Sequence, residues 1–349
     1  MSISSEYIQC IIPATLTVRE ALERLNSLKG VPLTLLVVDE QECVAGTFTD
    51  GDIRRGLIAG ASLGDSVERV MMRHFRRLSP GADVEAILEE ARALGIALLP
   101  EVDAEGRIQD VIDVRRRRAL LPVDSVLMAG GRGERLRPLT LTTPKPLLPV
   151  GEKAIIDHNV DALAECGVRN IYVTVNYMHE QIEAHFAARH PEKTTVTCVL
   201  EPRPLGTFGS IGLIKTLKTD DVLVMNSDLL TDLDFAKMYR HHTENHADLT
   251  VAAVPYIVSV HYAILETENG CCTSLREKPT YNYLANAGVY IVKRSLLEEL
   301  NGEERVDATD FIENLLARPG AKVVTFPIEG TWIDIGSPSD YRAACERFH

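Results

Sequence analysis

The chain has 349 residues, 45% hydrophobic and 25% charged, so it can bury the cores of roughly two or three domains. A formal net charge of -13 argues against a general nucleic-acid binder, because such proteins need surplus cations to displace counterions. The first residues show no basic region followed by an apolar stretch, and no later run approaches a membrane span; we expect a cytoplasmic protein without membrane contact. The seven cysteines lack metal-ligand spacing and fit reduced thiols.

The first part of the chain repeats itself loosely, with a period of roughly sixty residues. The stretch 17–57 (TVREALERLN…TDGDIRRGL) has a pattern similar to that of the stretch 83–116 (DVEAILEEAR…DVIDVRR). Each half predicts a helix, two strands and a helix, in that order. The pattern resembles a tandem pair of cystathionine-β-synthase (CBS) domains, an α+β module that commonly binds adenine nucleotides between its halves.

One regulatory nucleotide site follows from that resemblance. The family's GxxTxxD stretch places a threonine and an aspartate on the ligand, and it matches Gly46, Thr49 and Asp52. The second half keeps an aspartate, Asp113, but no threonine precedes it. We therefore expect a single good site for AMP or ATP at most. The alternative is a module that only dimerises the protein or spaces its parts.

A break in the pattern falls at residues 115–122 (RRRRALLP), just before the next apolar strand. We place a boundary there, which gives a regulatory domain at 1–120 and a second domain at 121–349. The four arginines of this stretch most simply form a solvated end or an interdomain contact. Binding of a ligand phosphate is the alternative.

A glycine-rich stretch, 128–153 (MAGGRGERLRPLTLTTPKPLLPVGEK), directly follows the short apolar strand predicted at Ser125–Met128. Gly130, Gly131 and Gly133 let the backbone turn tightly, with its N–H groups facing an anion. The alternative for GGRG alone would be an ordinary surface loop. The complete stretch instead predicts a clamp for a triphosphate.

Two cations, Arg135 and Lys145, supply the charge of this clamp. An arginine fork holds two phosphate oxygens at once, and a lysine acts as a mobile point charge. The stretch is neither a Walker loop, which needs GK[ST], nor a dinucleotide fingerprint, which needs a third glycine opening a helix. Pro138, Pro144 and Pro146 predict a long, stiffened loop instead.

The whole stretch resembles the signature of the sugar-1-phosphate nucleotidylyltransferases, roughly GGxGTRLxPLT followed by PKPLxPV. Further pieces of the family pattern recur in order: VNY at 175–177, EPRPLGTFGS at 201–210, VMNSDLL at 224–230, EKP at 277–279, NAGVYI at 286–291 and WIDIGSPSDY at 332–341. The resemblance covers residues 123–349. It looks closest to a bacterial branch that fuses a regulatory module to a guanylyltransferase, such as the glucosamine-1-phosphate guanylyltransferases of legionaminic acid synthesis.

The resemblance implies a reaction in which a sugar 1-phosphate attacks the α-phosphorus of a nucleoside triphosphate and releases pyrophosphate. It favours GTP with a hexose or hexosamine 1-phosphate, and it implies a homo-oligomer. Mannose or heptose 1-phosphate, and UTP, dTTP or CTP, remain alternatives. A hypothesis from another functional class is that the chain is an adenine-nucleotide sensor whose transferase domain is inactive. Pyrophosphate release distinguishes these hypotheses.

Strands alternate with helices after residue 121, which predicts an α/β fold with a mostly parallel, Rossmann-like sheet covered on both faces; the resemblance implies its GT-A-like form. The predicted strands are 171–175, 195–200, 222–225, 249–254 and 288–292. The predicted helices are 179–188, 210–217 and 235–244. Ligands in such a sheet gather over the carboxyl ends of the strands.

Asp228 ends the apolar strand VLVMNSD, where a carboxylate either caps the next turn or binds a cation. The resemblance adds Asp334, within WIDIG, as its partner in holding one magnesium ion. Carboxylate oxygens suit magnesium bound to a triphosphate.

The resemblance also implies the remaining site residues. For the nucleotide these are Ala129, Gly130, Gly131, Gly133, Glu201 and Gly206. For the acceptor they are Asn176, Thr207, Glu277 and Asn286. Lys278 is implied to hold the sugar phosphate, and it is counted with Arg135 and Lys145 as a catalytic residue. Alternatively, Glu277 and Lys278 form a charged strand end, the glycines at 206 and 209 are only turn residues, and Asn176 bonds backbone.

Two residues depart from the family pattern. Glu134 stands where many members have threonine, and a side chain pointing inward would weaken triphosphate binding. Ala263 falls where a tyrosine-glycine turn is usual, which puts the identity of the sugar in doubt.

Overall fold

The structure is a computed structural model that describes residues 3, 5–117, 119–189, 191 and 194–347. The chain divides into two compact units. The first comprises Met1–Leu120 and Glu165–Gly167, and the second comprises Leu121–Ala164 and Val168–His349. Of the four arginines at 115–118, Arg118 lies outside the described residues.

The first unit contains four helices and five strands within its described residues. The helices are α1 (Ser5–Ile8), α2 (Val18–Ser27), α3 (Asp50–Ile58) and α4 (Val84–Ala93), and the strands are β1 (Ile11–Pro13), β2 (Leu35–Val38), β3 (Val44–Phe48), β4 (Leu98–Val102) and β5 (Ile108–Asp113). Strand β1 pairs parallel with β2, β2 pairs antiparallel with β3, and β4 and β5 form an antiparallel pair. Both repeats contribute to one apolar core, in which Leu35 and Phe48 of the first repeat lie with Val111 of the second.

The second repeat differs from the prediction, because no helix begins between Asp113 and Val123 in the described residues. In the first repeat, Thr49 and Asp52 form a reciprocal capping box that begins α3. In the second repeat, Asp113 instead accepts hydrogen bonds from the backbone N–H and the guanidinium of Arg115. The threonine needed for the cap is missing there, so the chain turns without starting a helix.

The second unit contains the elements of the predicted second domain. Its strands are β6 (Val123–Met128), β7 (Pro149–Val150), β8 (Lys153–Ala154), β9 (Asn170–Val175), β10 (Thr195–Leu200), β11 (Asp221–Asn226), β12 (Leu229–Thr231), β13 (Leu249–Ser259), β14 (Ile264–Glu268), β15 (Cys271–Arg276), β16 (Thr280–Lys293), β17 (Val323–Pro327) and β18 (Trp332–Asp334). Its helices are α5 (Ile155–Glu165), α6 (His179–Ala188), α7 (Gly206–Gly209), α8 (Phe235–Glu244), α9 (Arg294–Leu297), α10 (Ala308–Leu316) and α11 (Pro338–Arg347).

Seven of these strands form one sheet in the order β10-β9-β6-β11-β16-β13-β17. Strand β16 runs antiparallel to both of its neighbours, and the other pairs are parallel. On one face, Val126 and Val224 pack in a core with Phe208 and Phe311. The alternate residue Leu127 is also fully buried, as expected when both faces are covered. The predicted α/β fold with a mostly parallel sheet is confirmed.

The helix predicted at 210–217 is wrong. The structure has the four-residue helix α7 and then a 3₁₀ turn at Ser210–Leu213. A Cβ atom on Gly209 or Gly212 would lie 2.6 or 2.5 Å from the backbone of a neighbouring segment. Close backbone approach, which only glycine permits, has overridden the helical periodicity.

Strands β13 and β16 are longer than predicted, and they continue beyond the sheet as a two-stranded ribbon that carries the β14–β15 hairpin. Side chains on both faces of this ribbon are exposed, including Tyr256, Ile257, Tyr283 and Leu284. Among the described residues, no helix combines the length and apolar character needed to cross a membrane.

Candidate active site

A cavity of about 390 Å³ opens at the carboxyl ends of β6, β9, β10 and β11. This is where ligands gather in an open α/β sheet. Its wall consists of Met128, Ala129, Gly130, Gly131, Lys145, Pro146, Thr174, Glu201, Pro204, Gly206, Thr207, Asn226, Ser227, Asp228, Arg305 and Asp307. The structure thus brings together most of the residues predicted for the nucleotide. With them lie Lys145, a predicted catalytic residue, and Asp228, a predicted metal ligand.

The glycine loop after β6 is shaped by close contacts. A Cβ atom on Gly130 would lie 2.5 Å from Oε1 of Glu201. Gly133 has a left-handed φ of 59°, and a Cβ there would lie 2.9 Å from Thr140 and 3.0 Å from Lys145. As predicted, the stretch stays a loop, broken by 3₁₀ turns that include one at Lys145–Leu147. These turns bring Lys145 into the cavity wall.

Lys145 and two aspartates form the charged cluster of the site. The Lys145 ammonium donates to Oδ2 of Asp228. Asp228 directly precedes β12, which pairs with β18 so that Leu229 lies opposite Asp334. The backbone N–H of Ile335 also donates to the carbonyl of Asp228 at 3.2 Å. This pairing of distant strands places the two predicted metal ligands side by side.

The electrostatics of this cluster fit a divalent cation. Burial, and then the charge of Asp228, raises the pKa of Asp334, while Lys145 and Arg135 oppose that shift. Oδ1 of Asp228 is buried and has no hydrogen-bond partner among the described residues. An unpaired carboxylate oxygen beside a second carboxylate is a donor set that suits magnesium.

Arg135 does not line the cavity, but it lies next to the cluster. Its guanidinium is 3.3 Å from the position that a Cβ on Gly336 would take, and its charge lowers the pKa of Asp334. Glu134 points away: its side chain is exposed and lies 3.5 Å from the guanidinium of Arg137. The inward orientation that would weaken triphosphate binding is absent at this residue.

Glu201 is 6% exposed and lines the cavity beside Gly130. Its Oε2 accepts from the backbone N–H of Leu205 at 3.2 Å, and burial raises the pKa of its carboxyl. Asn176, in contrast, does not line the cavity, and its amide donates to the Glu201 carbonyl at 3.1 Å. Asn176 thus bonds backbone, as the alternative interpretation expected.

The residues predicted for the acceptor are not gathered in the same way. Glu277 and Lys278 lie in the bend between β15 and β16, 67% and 68% exposed, and neither lines the cavity. Ala263 is also exposed. Asn286 is engaged within β16, where it donates to the Tyr290 hydroxyl at 2.9 Å and accepts from Gly288 N–H at 2.9 Å.

Two charged residues of the cavity wall, Arg305 and Asp307, were missed by the sequence reasoning. They precede α10 and lie beside Thr207, whose hydroxyl accepts from the backbone N–H of Ala308 at 2.7 Å. The signal that could have found them is the Asp307 N-cap, since a helix start that follows a basic residue is a common place for anion contacts.

In the first unit, the candidate regulatory residues are engaged with each other. Thr49 donates to Oδ2 of Asp52 through its backbone N–H at 2.8 Å and its hydroxyl at 2.6 Å. Arg55 donates to the other oxygen of Asp52 at 2.6 Å. The carboxylate is 4% exposed, so a ribose would have to share or displace these partners.

Comparison with known proteins decides the family of this chain. A sequence model of the nucleotidyl transferase family matches residues 124–349, well over half of its length. This chain belongs to the nucleotidyl transferase family. A CBS-domain model matches residues 5–59 of this nucleotidyl transferase, which is the first of the two repeats. The predicted resemblance to both families is confirmed.

Named relatives match more than half of this chain. It is 33% identical over 225 residues to the mannose-1-phosphate guanyltransferase of Yarrowia lipolytica, covering 62% of this chain and 61% of that protein. It is 31% identical over 225 residues to the mannose-1-phosphate guanylyltransferase catalytic subunit beta of Drosophila melanogaster, covering 62% and 60%. The nucleotidyl transferase thus spans about three fifths of the length of these curated relatives.

Two solved structures match 65% of this chain. HddC of Yersinia pseudotuberculosis is 27% identical, with a TM-score of 0.52, over 65% of this nucleotidyl transferase and 100% of HddC. The crystal structure of HddC complexed with GMP-PN matches with 26% identity and a TM-score of 0.51, over 65% and 100%. The resemblance to the legionaminic acid branch in particular stays a prediction.

Proposed function

We propose that this nucleotidyl transferase condenses GTP with a sugar 1-phosphate to give a GDP-sugar and pyrophosphate. The observation that carries the proposal is the cluster of Lys145, Asp228 and Asp334 beside the glycine loop at the carboxyl edge of the sheet. Relatives named as guanylyltransferases and a fold neighbour crystallised with GMP-PN support it.

In the proposed reaction, an oxygen of the sugar phosphate forms a bond to the α-phosphorus of GTP. The bond from that phosphorus to the oxygen bridging the β-phosphate breaks, and pyrophosphate leaves with the electron pair. The attacking oxygen is already an anion, so no side chain has to remove a proton. The protein's contribution is to hold the anions in line and to offset the growing charge.

Each charged residue of the site has a part in that work. Lys145 is held against Asp228 and would face the α-phosphate from the cavity wall, and Arg135, beside Asp334, would reach the leaving phosphates. The N–H groups of Gly130 and Gly131 face the phosphate chain. Asp228 and Asp334 would hold magnesium, which supplies charge neutralisation for the phosphates when bound.

The choice of GTP rests on Glu201. An ionised carboxylate only accepts hydrogen bonds, and guanine alone among the common bases presents two adjacent donors, N1–H and N2–H₂, on its pairing edge. One oxygen of Glu201 already bonds Leu205, and the other lies next to Gly130 at the cavity. Uracil and thymine offer one donor between two acceptors, which a carboxylate would repel.

Replacing Glu201 by glutamine should lower the ratio of kcat/KM for GTP to that for UTP by about 10- to 100-fold, the usual value of hydrogen bonding to a charged group. The exposed Glu244→Gln change is the control and should leave that ratio unchanged. Pyrophosphate release with GTP, ITP and UTP is the measurement. ITP lacks the N2 amine, so a wild type that uses ITP as well as GTP would contradict the contact.

Glu201 also predicts a pH dependence. Burial raises its pKa in the folded state, so the folded protein holds this proton more tightly than the unfolded chain does. The free energy of unfolding should therefore fall as pH rises from the ordinary carboxyl range through the raised pKa. Glu201→Gln should lose this fall, and chemical denaturation between pH 4.5 and about 8 measures it.

The sugar is the least determined substrate. The names of the relatives of this chain favour mannose 1-phosphate. The sequence resemblance favours glucosamine 1-phosphate, and heptose 1-phosphate is a further alternative. A grid of the four ribonucleotides and dTTP against glucosamine, N-acetylglucosamine, mannose and heptose 1-phosphates, read by pyrophosphate release, tests the proposal. Absence of release from every pair would refute it.

We propose regulation through the first unit, in which AMP or ATP binds at Thr49 and Asp52. Asp52→Ala should abolish the rise in Tm that these nucleotides give the full-length protein. The change also removes a helix cap worth about 1 kcal/mol, so the ligand-induced shift is compared rather than Tm itself. Asp83→Ala is the matched control, because Asp83 caps α4 in the second repeat. A wild type without any shift would leave this unit an oligomerisation element.

A further inference from the structure

We propose that Thr174 contacts the guanine base of the bound nucleotide, with its hydroxyl donating to O6. The inference deepens the proposed function, on which it rests, and names a base contact outside the glycine loop and outside the stretch 201–210. Oγ1 of Thr174 is buried without a hydrogen-bond partner among the described residues, and the same residue lines the cavity. A buried hydroxyl that lacks a partner destabilises the ligand-free protein, which is the state expected of a group whose partner is a ligand.

Thr174 lies at the boundary between the apolar core and the cavity. It is 1% exposed, and it follows Tyr172 by two residues in β9, which puts both side chains on the same face of the sheet. Its neighbours on the adjoining strands are Val199 of β10 and Met128 of β6, which both pack against the core on that face. These two side chains offer the hydroxyl no oxygen or nitrogen. The cavity that Thr174 lines is where a polar partner can bind.

The backbone around Thr174 connects it to both sides of the nucleotide site. Its carbonyl accepts from the N–H of Ala129, at the start of the glycine loop, at 2.9 Å. The carbonyl of Val175, one residue further on, accepts from the N–H of Glu201 at 2.8 Å. Thr174 therefore sits between the glycine loop and Glu201, at the ends of three adjacent parallel strands. The sheet, and not a free loop, fixes its place relative to both.

The position of Thr174 assigns it to the base rather than to the phosphates. Lys145 donates to Asp228, which follows β11, on the far side of β6. Thr174 lies on β9, next to the strand that leads to Glu201. A nucleotide that spans the cavity with its phosphates at Lys145 has its base at the Glu201 end, where Thr174 also lies.

The chemistry of guanine selects O6 as the partner. In the proposed function, the Glu201 carboxylate accepts from N1–H and N2–H₂, so O6 is the remaining polar atom of the pairing edge and needs a donor. A threonine hydroxyl carries one O–H donor, and this donor is uncommitted at Thr174 in the ligand-free protein. The carboxylate and the hydroxyl together complement the order of two donors and one acceptor along that edge.

Thr174→Val in the full-length protein should weaken GTP binding by about 5- to 30-fold, because O6 then enters the cavity without a donor. KM for GTP should rise by a similar factor while kcat stays within about twofold of wild type, since the base is held equally in the ground state and in the transition state. Thr174→Ser keeps the hydroxyl and should retain most of the affinity for GTP.

The same change should raise Tm of the ligand-free protein by about 2 to 4 °C, because it removes an unpaired buried hydroxyl at nearly constant volume. Thr250→Val is the matched control: Thr250 is fully buried in β13, but its hydroxyl is hydrogen-bonded to Nδ1 of His242 at 2.8 Å. This control should lower Tm and leave the affinity for GTP unchanged. A lower Tm in Thr174→Val would show that its hydroxyl has a partner before the nucleotide binds, which would overturn the inference.

Nucleotide analogues identify the atom that Thr174 holds. 6-Thio-GTP keeps N1–H and N2–H₂ but carries a weakly accepting sulfur in place of O6, so Thr174→Val should change its affinity by less than about twofold. 7-Deaza-GTP keeps O6 and lacks N7, so the variant should weaken its binding as much as that of GTP. An effect that persists with 6-thio-GTP, or that vanishes with 7-deaza-GTP, would overturn the assignment to O6.

Titration calorimetry of these nucleotides separates the inference from the proposed activity, because it needs no turnover. Weaker GTP binding in Thr174→Val supports the inference even if no pyrophosphate is released with any sugar 1-phosphate, an outcome that would refute the activity alone. Equal affinities of the variant and the wild type for GTP would overturn the inference while leaving an active enzyme intact.

Discussion

Replacing Lys145 by alanine is expected to lower kcat by about 100- to 1,000-fold, the usual loss when one charge-stabilising donor is removed from a phosphoryl-transfer site. The ammonium is nearly buried in the cavity wall and fixed against Asp228, so little reorganisation is needed as charge grows on the phosphates. Burial and the charge of Asp228 raise the pKa of Asp334, and the charge of Lys145 opposes that rise. The measurement is steady-state pyrophosphate release at saturating substrates.

Lys153→Ala is the matched control for this change. Lys153 pairs with Asp161 at 2.7 Å and is 54% exposed, so its removal should leave kcat unchanged. Circular dichroism and Tm would show that Lys145→Ala keeps the fold. Turnover within a few-fold of wild type would remove Lys145 from the mechanism.

Replacing Asp228 by asparagine is expected to lower the rate by about 1,000-fold or more and to abolish its dependence on magnesium. The amide oxygen can still accept from Lys145, so the ion pair becomes a hydrogen bond from the charged ammonium to a neutral amide, and the fold should persist. What is lost is the anionic, unpartnered oxygen that the structure places beside Asp334. A magnesium titration of the rate measures the effect.

The control for Asp228→Asn is Asp220→Asn, since that side chain is 98% exposed and pairs only loosely with Arg294 at 3.5 Å. Manganese binding followed by electron paramagnetic resonance gives a readout that needs no turnover. It should weaken in Asp228→Asn and in Asp334→Asn, and stay unchanged in the control. Full magnesium-driven activity in either variant would refute the assignment of these ligands.

Asp228 and Asp334 also make the free energy of unfolding of the metal-free protein depend on pH. Because burial and the Asp228 charge raise the pKa of Asp334, the free energy of unfolding should fall as pH rises through that raised pKa. Asp228→Asn removes one of the two causes, so the fall should be smaller in that variant. Denaturation in the presence of a chelator, with and without the substitution, makes the comparison.

Local patterns predicted much of the second unit. The predicted helices at 179–188 and 235–244 coincide with α6 and α8, and the predicted strand at 195–200 coincides with β10. Helix α8 is amphipathic, and β10 begins with threonine alternating with apolar residues, so local patterns mark these two elements. The helix predicted at 210–217 failed because its glycines serve a contact with residues distant in the chain, which no local window contains.

In the candidate site, too, some residues could be placed from local sequence, and others depended on contacts between distant segments. Residues that follow a strand directly, such as Gly130, Glu201 and Asp228, could be placed from sequence because parallel strands end at one edge of the sheet. Lys278 could not, because its position depends on how far β13 and β16 continue as a ribbon. Arg305 was missed because its segment reaches the cavity only through backbone contacts with the turn around Gly206.

The sequence by itself determined the family, the phosphate loop and the edge of the sheet where chemistry would gather, because glycine turns and apolar strands are local properties. Only the tertiary structure decided which charges meet. Asp334 reaches Asp228 through the pairing of β12 with β18, and Lys145 reaches it through a turn of the loop. Such encounters depend on the register of strands far apart in the chain, which is set by the packing of the whole sheet and not by any short stretch of residues.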